Sequence, residues 1–284
     1  MSPRQVLPLS ALCVTALLAA PAVLAQGAYP SKPITLVVGY PPGGSTDLTG
    51  RTLGDALSRQ LGVPVVIENL GGAGGTIGAQ KVASAAPDGY TLLVGANNEV
   101  AISKLVTKTV KYELKDFTPL GLIASQPMVL VASTATGVKN LGEFIAKAKA
   151  APGKYSYGSS GVGTALHLAG EMVKERAGVF MTHIPYRGVA PLTSDLVGGN
   201  LEYGVFVLSS GLPHIKSGKV VALGTTEARR SPLTPDIPAL GEHPQLKGID
   251  IGTWFVLMGP ARLPEAVTTR LKTALAEALK APEF

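Results

Sequence analysis

The chain carries one cysteine in 284 residues, and that one, Cys13, lies in an N-terminal segment that reads as removable. No disulfide framework is then available to the mature chain, which needs a core large enough to hold it unaided. Aromatic residues make up only 5% of the sequence and charged residues 15%. The formal charge of +6 is scattered, and only Arg229 and Arg230 adjoin. A nucleic-acid binder needs a basic stripe interleaved with exposed aromatics, so that class of partner is excluded. Beyond the N-terminal segment no apolar run approaches the ~18 residues of a spanning helix.

Several chemical signatures are missing as well. There is no G-K-[ST] sequence, so the phosphate-cradling loop of nucleotide hydrolases is absent. Gly72-Ala73-Gly74-Gly75-Thr76-Ile77 fails the dinucleotide fingerprint, because Ile77 stands where the third glycine must be. Gly158-Ser159-Ser160-Gly161 lacks the G-x-S-x-G spacing of a nucleophile elbow. His167 and Glu171 lie four apart and share a helix face, but two ligands without a third make a poor metal site. No cofactor and no metal are expected. A serine hydrolase using Ser160 and His167 stays open as the alternative.

The N-terminal segment has the layout of a secretory signal. Arg4 supplies the positive start, Leu7 to Leu24 is mostly apolar, and Val23-Leu24-Ala25 ends on a small residue. Cleavage after Ala25 is expected, which makes the mature protein a secreted one. Leu12 before Cys13 is not the small residue that a lipoprotein signal requires.

The mature chain alternates strand and helix, the pattern of an α/β fold. Ile34 to Gly39 reads as a strand, and Pro41-Pro42-Gly43-Gly44-Ser45-Thr46-Asp47 as the turn into an amphipathic helix. Such a turn leaves several main-chain N–H groups unpaired at the positive end of the helix dipole. It can therefore hold an anion without any basic side chain, with Asp47 suited to cap the helix. Val63 to Asn69, the helical Thr76 to Ala85 and the strand Tyr90 to Ala96 complete a βαβ unit. Asn97 and Asn98 stand at the carboxyl end of that strand, the edge at which open α/β sheets bind ligands. Lys104 to Ile123 reads as a crossover, with a strand restarting at Met128. Ser159-Ser160-Gly161-Val162-Gly163-Thr164 forms a second Gly/Ser turn before a helix. Arg187 ends a later strand, and the proline-rich Ser231 to Pro238 carries the chain back across the molecule.

Motifs in order along the chain resemble one family. They are Pro42-Gly43-Gly44-Ser45-Thr46-Asp47, Glu68-Asn69 with Gly72-Ala73-Gly74-Gly75, Pro87-Asp88-Gly89-Tyr90-Thr91-Leu92 and Lys115-Asp116-Phe117-Thr118-Pro119. Tyr157-Gly158-Ser159, Gly161-Val162-Gly163-Thr164 with His167-Leu168, His183-Ile184-Pro185-Tyr186-Arg187-Gly188 and Leu212-Pro213-His214-Ile215-Lys216-Ser217-Gly218-Lys219 complete the set. Together they resemble the Bug family, the extracytoplasmic solute receptors of tripartite tricarboxylate transporters.

The resemblance implies a two-lobed, type II-like Venus-flytrap fold of the periplasmic-binding-protein kind, with two crossover strands. Residues 26–123 and 227–284 would form lobe one and 124–226 lobe two. It implies a monomeric receptor, not an enzyme, that passes a small carboxylate to membrane permease subunits. The carboxylate would be held by main-chain amides and waters, not by a dominant arginine. By motif, Gly43, Gly44, Ser45 and Thr46 belong to the site on lobe one, and Ser159, Ser160, Gly161 and Thr164 on lobe two. Asn97 and Asn98 are added from their place at the strand end, to read the ligand's far side, and Arg187 as a strand-end residue facing it. Glu202-Tyr203 departs from the family pattern of an apolar residue followed by Asp, and Phe206 nearby is expected to change the cleft wall. Gly44 is expected to be glycine for its torsion angles and for close approach of the ligand. Relatives continue past the equivalent of Phe284, so the chain reads as truncated there, and a receptor relative without a working permease is a further alternative.

Overall fold

Near-continuous apolar runs such as Ile34–Val38 and Thr91–Ala96 can only be strands buried on both faces, and they form the centre of a parallel sheet. The computed structural model describes residues 29–284, so Cys13 and the expected cleavage point after Ala25 lie outside the described residues. In chain order the elements begin β1 (Ile34–Val38), α1 (Ser45–Leu61), β2 (Val65–Asn69), α2 (Thr76–Ala83), β3 (Thr91–Ala96) and the short α3 (Ser103–Val106). They continue with β4 (Phe117–Ser133), α4 (Leu141–Ala150), β5 (Ser156–Ser159), α5 (Ala165–Ala177), β6 (Thr182–Pro185) and α6 (Val189–Val197). β7 (Tyr203–Val207), α7 (Leu208–Lys216), β8 (Val220–Thr225), β9 (Gly252–Pro260) and α8 (Glu265–Ala278) close the chain.

Helix α1 shows how the sequence places the site. Leu53, Ala56, Leu57 and Leu61 bury one face of it, while Gly50 lets its axis lie close on β1. A Cβ at position 50 would come 2.9 Å from the Val38 side chain. Gly62, left-handed at φ +73°, stops the helix by returning its N–H to Ser58 O. The helix therefore starts at the carboxyl end of β1 with its N-terminus aimed at the cleft.

The strands form two groups joined through β4. In the first, β2, β1 and β3 run parallel, and β9 pairs antiparallel with both β3 and the first part of β4. In the second, β5 pairs parallel with β6 and β7, and the last part of β4 takes β7 and β8 as antiparallel partners. β4 leaves β9 at Pro127 and takes up β7 at Met128. The strand expected to restart at Met128 thus begins earlier, at Phe117. Its two prolines are tolerated because Pro119 sits at a register shift in the ladder and Pro127 at its end.

Thr226 ties the second crossing to the first. Its N–H donates to Met128 O at 2.8 Å, its Oγ1 accepts from Met128 N at 3.0 Å, and its carbonyl accepts from Ile251 N at 2.9 Å. Met128, Thr226 and Ile251 therefore meet where the sheet changes partners. The boundary expected at residue 227 needs correcting. Thr225 N donates to Pro238 O, Ala239 bridges β8, and Arg176 on α5 donates to Lys247 O, so this passage stays on the second group. The chain rejoins the first sheet at Gly252. The proline-rich stretch packs on one side and does not span the molecule.

The Thr226 hydroxyl is the part of this junction that a mutation isolates. Thr226→Val leaves the buried Met128 N–H without an acceptor and should cost about 1–3 kcal/mol. Urea denaturation should show a lower midpoint with an unchanged m-value, and Thr226→Ser should recover most of the loss.

Candidate ligand-binding site

The first turn of α1 opens into the space between the two groups of strands. Gly44 occupies the N-cap position in extended conformation and supplies no side-chain cap. Among the described residues, no protein acceptor takes the main-chain N–H of Gly44, Ser45, Thr46 or Asp47, and neither the Ser45 nor the Thr46 hydroxyl has a partner. Four orphan donors and two hydroxyls thus point from one turn, a ready seat for an anion.

Asp47 does not cap the helix as expected; it lies within the first turn, as its third residue, and reaches back. Its Oδ2 accepts from Gly43 N at 3.0 Å and from Arg51 Nε at 3.0 Å, and its Oδ1 accepts from Asn69 Nδ2 at 2.8 Å. Burial pushes this carboxyl up, but the bonds from Arg51, Gly43 and Asn69 outweigh it and hold it below the usual carboxylate range. The negative charge is consumed locally, so it does not repel a second anion at the helix end. Asn69 also donates to Tyr40 O, which pins the turn at its other side.

Two adjoining cavities lie between the lobes. The inner one is lined on its polar side by Gly44, Ser45, Thr46, Ser160, Asn98 and Tyr40. Ala96, Leu166, Val189, Val207, Thr253 and Phe255 form the rest of its wall. The outer one shares Tyr40 and Ser160 and is walled by the 72–74 glycine turn, Gly161, Tyr186 and Arg187. The lobes touch around these spaces. Ala165 N donates to Asn98 Oδ1 at 2.7 Å, and a Cβ on Gly188 would come 3.0 Å from Pro41.

The expected residues divide accordingly. Gly44, Ser45, Thr46, Asn98 and Ser160 come together on the inner cavity, and Gly161 and Arg187 on the outer one. Gly43, Asn97, Ser159 and Thr164 line neither. Gly43 gives its N–H to Asp47, and Asn97 accepts from Thr253 at 2.9 Å. Ser159 bonds His183 Nε2 at 2.8 Å, and Thr164 caps α5 by accepting from His167 N. Phe206 is fully buried and faces the core, because alternation along β7 turns its neighbour Val207 to the cavity instead. The torsion argument also moves by one residue. Gly44 has φ −90°, where a Cβ would meet only Val189 at 3.9 Å, whereas Gly43 at φ +90° does require glycine.

The turns of the two lobes differ in how much they leave open. On lobe two, Gly161 N donates to Ser159 Oγ, Gly163 N to His167 Nδ1 and Thr164 N to Gly161 O. His167 stacks on His183 with ring centroids 4.0 Å apart, and burial together with this neighbour pushes the His183 imidazole down to about 4. Both rings act as scaffolding for the turn. His167 does not meet Ser160, whose Oγ points to Thr164 Oγ1 at 3.3 Å.

A family model described as "Tripartite tricarboxylate transporter family receptor" matches residues 49–284. The chain belongs to this family. Among solved structures, the periplasmic binding protein BugD is 36% identical, with a TM-score of 0.85 over 90% of this chain and 85% of its own. A Rhodopseudomonas palustris protein solved with adipate is 33% identical, with a TM-score of 0.85, covering 87% and 83%. MatC from Rhodopseudomonas palustris, solved with bound malate, is 30% identical with a TM-score of 0.84, covering 90% and 87%. The two-lobed α/β receptor fold expected from the sequence is the fold of this family.

Sequence reasoning missed several residues here. Tyr40, two residues after β1, could have been found from its strand-end position. Thr253, Phe255, Val189 and Val207 carry no local signal, since distant segments bring them in. Glu99 was also missed. It is 1% exposed behind Gly39 and Gly75, its Oε2 accepts from Ala96 N at 3.0 Å, and its Oε1 has no protein partner. Burial raises its pKa to about 8.

A carboxyl so raised stays protonated in the folded protein while the unfolded chain ionises near 4.5, so stability falls as pH rises between these values. His183 has the opposite sign, costing stability as pH falls from 6.5 towards 4, and contributes little above 6.5. From pH 6.5 to 8 the melting temperature should therefore decline, with stability lost at up to about 1.4 kcal/mol per pH unit. Glu99→Gln should flatten that decline.

Proposed function

We propose that this protein is a periplasmic receptor that captures one small carboxylate between its lobes and delivers it to the permease subunits of a tripartite transporter. The observation that carries this reading is the set of unpaired N–H groups and hydroxyls at residues 44–47, opening into an interlobe cavity whose wall bears no ionised side chain. The relatives solved with adipate and malate, both carboxylates, support the ligand class. The signal-like segment ending at Ala25 supports the location.

The working protein is a monomer that moves about the Met128–Thr226–Ile251 junction. Lobe one comprises residues 29–127 together with those from Gly252, and lobe two the stretch between. A solute that touches both lobes stabilises the closed form by its additional contacts there.

Binding without turnover fits the site better than hydrolysis does. Ser160 lacks a base, since His167 Nδ1 is taken by the Gly163 N–H. Ser159 does meet His183 at 2.8 Å, but Ser159 is fully buried and lines neither cavity.

Isothermal titration against a carboxylate found by thermal-shift screening tests the reading. Ser45→Ala and Thr46→Ala should each weaken binding by about 0.5–3 kcal/mol. Arg187→Gln should weaken it less than Gly44→Val, whose branched side chain closes off the amides. Loss of all binding in Arg187→Gln with none in Gly44→Val would show that a salt bridge holds the ligand. Release of product from an ester panel, abolished in Ser160→Ala, would instead make the protein a hydrolase.

A further inference from the structure

The mouth of the cleft is both apolar and basic. Leu105 is 84% exposed and Val106 50%, both on α3 of lobe one, and Val162 on the lobe-two turn is 67% exposed. A Cβ on Gly163 would run into the Val106 side chain, so α3 lies directly against the turn that carries Val162. The same face continues across lobe one. Ala73 borders the outer cavity with Thr107 and Val162, and it also borders a groove lined by Ile77, Val110 and Lys111. The charge on this face has one sign. Lys104 and Lys108 flank the apolar pair in sequence, and Arg187 stands on the outer cavity. Among the described residues Lys108, Lys111 and Arg187 join no salt bridge, while Lys104 shares Glu113 with Lys115. No aspartate or glutamate occurs in residues 69–87, 100–112, 157–170 or 185–194, the segments that build the face.

We propose that this face docks on an anionic phospholipid surface, with the tips of Leu105, Val106 and Val162 among the headgroups and the cations against lipid phosphates. A leaflet containing phosphatidylglycerol offers negative charge over its whole area and hydrocarbon just beneath, which answers both halves of the face. A second copy of this chain docked through the same face would bring the same positive charges. A protein partner would have to supply acidic and apolar groups in one matching pattern. The inference rests on the receptor reading above only in placing the chain beside a membrane. Lobe one gives Leu105, Val106 and the lysines, and lobe two gives Val162 and Arg187, so the face is whole only while the lobes are shut. Docking therefore selects the shut receptor and turns its cleft mouth to the bilayer. The attraction acts over about a Debye length and so falls as salt rises.

The test is co-sedimentation of the purified mature protein with vesicles of phosphatidylglycerol and phosphatidylcholine in equal parts, and with vesicles of phosphatidylcholine alone, at low and at physiological salt. The proposal expects partitioning onto the anionic vesicles at least tenfold stronger than onto the neutral ones, and weaker at the higher salt. Lys108→Glu combined with Lys111→Glu should lower it at least tenfold, and Leu105→Ser at least threefold. Lys219→Glu combined with Lys272→Glu makes the same change of charge at residues that border neither the outer cavity nor the groove, and should lower it less than threefold. All five side chains are exposed, so each variant keeps the fold. Equal losses in the two lysine pairs would mean attraction to net charge alone and overturn the proposal, as would an unaffected Leu105→Ser. Absence of binding to the anionic vesicles overturns it too and leaves the face to a protein partner; solute binding in the calorimetric titration then keeps the receptor reading standing. Absence of solute binding with vesicle binding intact does the reverse.

Discussion

The unpaired amides at the start of α1 are the constraint that the rest of the site serves. A helix cannot bond its own first N–H groups, and here no side chain from the first turn does it for them. Leaving them open next to a buried carboxylate would defeat the arrangement, so Asp47 is turned back onto Gly43, Arg51 and Asn69. Asn69 then holds Tyr40 O, and Tyr40 holds Gly74 through its hydroxyl. Residues from three separate turns are in this way fixed in relation to one small set of donors. The lobe-two turn spends three of its amides on Ser159, His167 and its own carbonyl, while those of Ser160 and Val162 have no protein acceptor among the described residues.

Local physics made much of this legible in the sequence. The βαβ alternation, the parallel pairing of β1 with β2 and β3, and the Gly-Gly-Ser-Thr turn all depend on spacing within a few residues. Strand β4 was harder, since Pro119 argues against a strand unless its ladder partner is known. The return of residues 227–251 was harder still. Which sheet a proline-rich passage lies on depends on Pro238, Ala239 and Lys247 finding β8 and α5, and nothing in its own composition records that. Within the site, the residues carrying main-chain donors were readable, whereas the hydrophobic wall was not. Phe206 and Val207 differ by one position in a fully buried strand, and no alternation of polarity distinguishes them.

The three histidine-bearing motifs acquire a physical meaning from their contacts. His167 takes the Gly163 N–H, His183 takes Ser159, and the two rings stack. Burial keeps both imidazoles neutral by pushing their pKa values down. A neutral ring can accept a main-chain hydrogen bond, while a protonated one cannot. The motif containing His214 lies apart from the cleft on α7, where His214 O instead accepts the Lys219 N–H that ends the helix.

The bridge from Asn98 to Ala165 links the lobes through protein atoms alone. Its strength enters the apparent affinity as a factor common to every solute, because it sets what share of molecules is already shut when a solute arrives. Asn98 also lines the inner cavity, so the side chain that bridges the lobes takes part in ranking one solute against another. How tightly the protein grips and what it prefers are thus written partly in the same side chain. Substitutions at position 98 shift the working concentration range and the order of preference together.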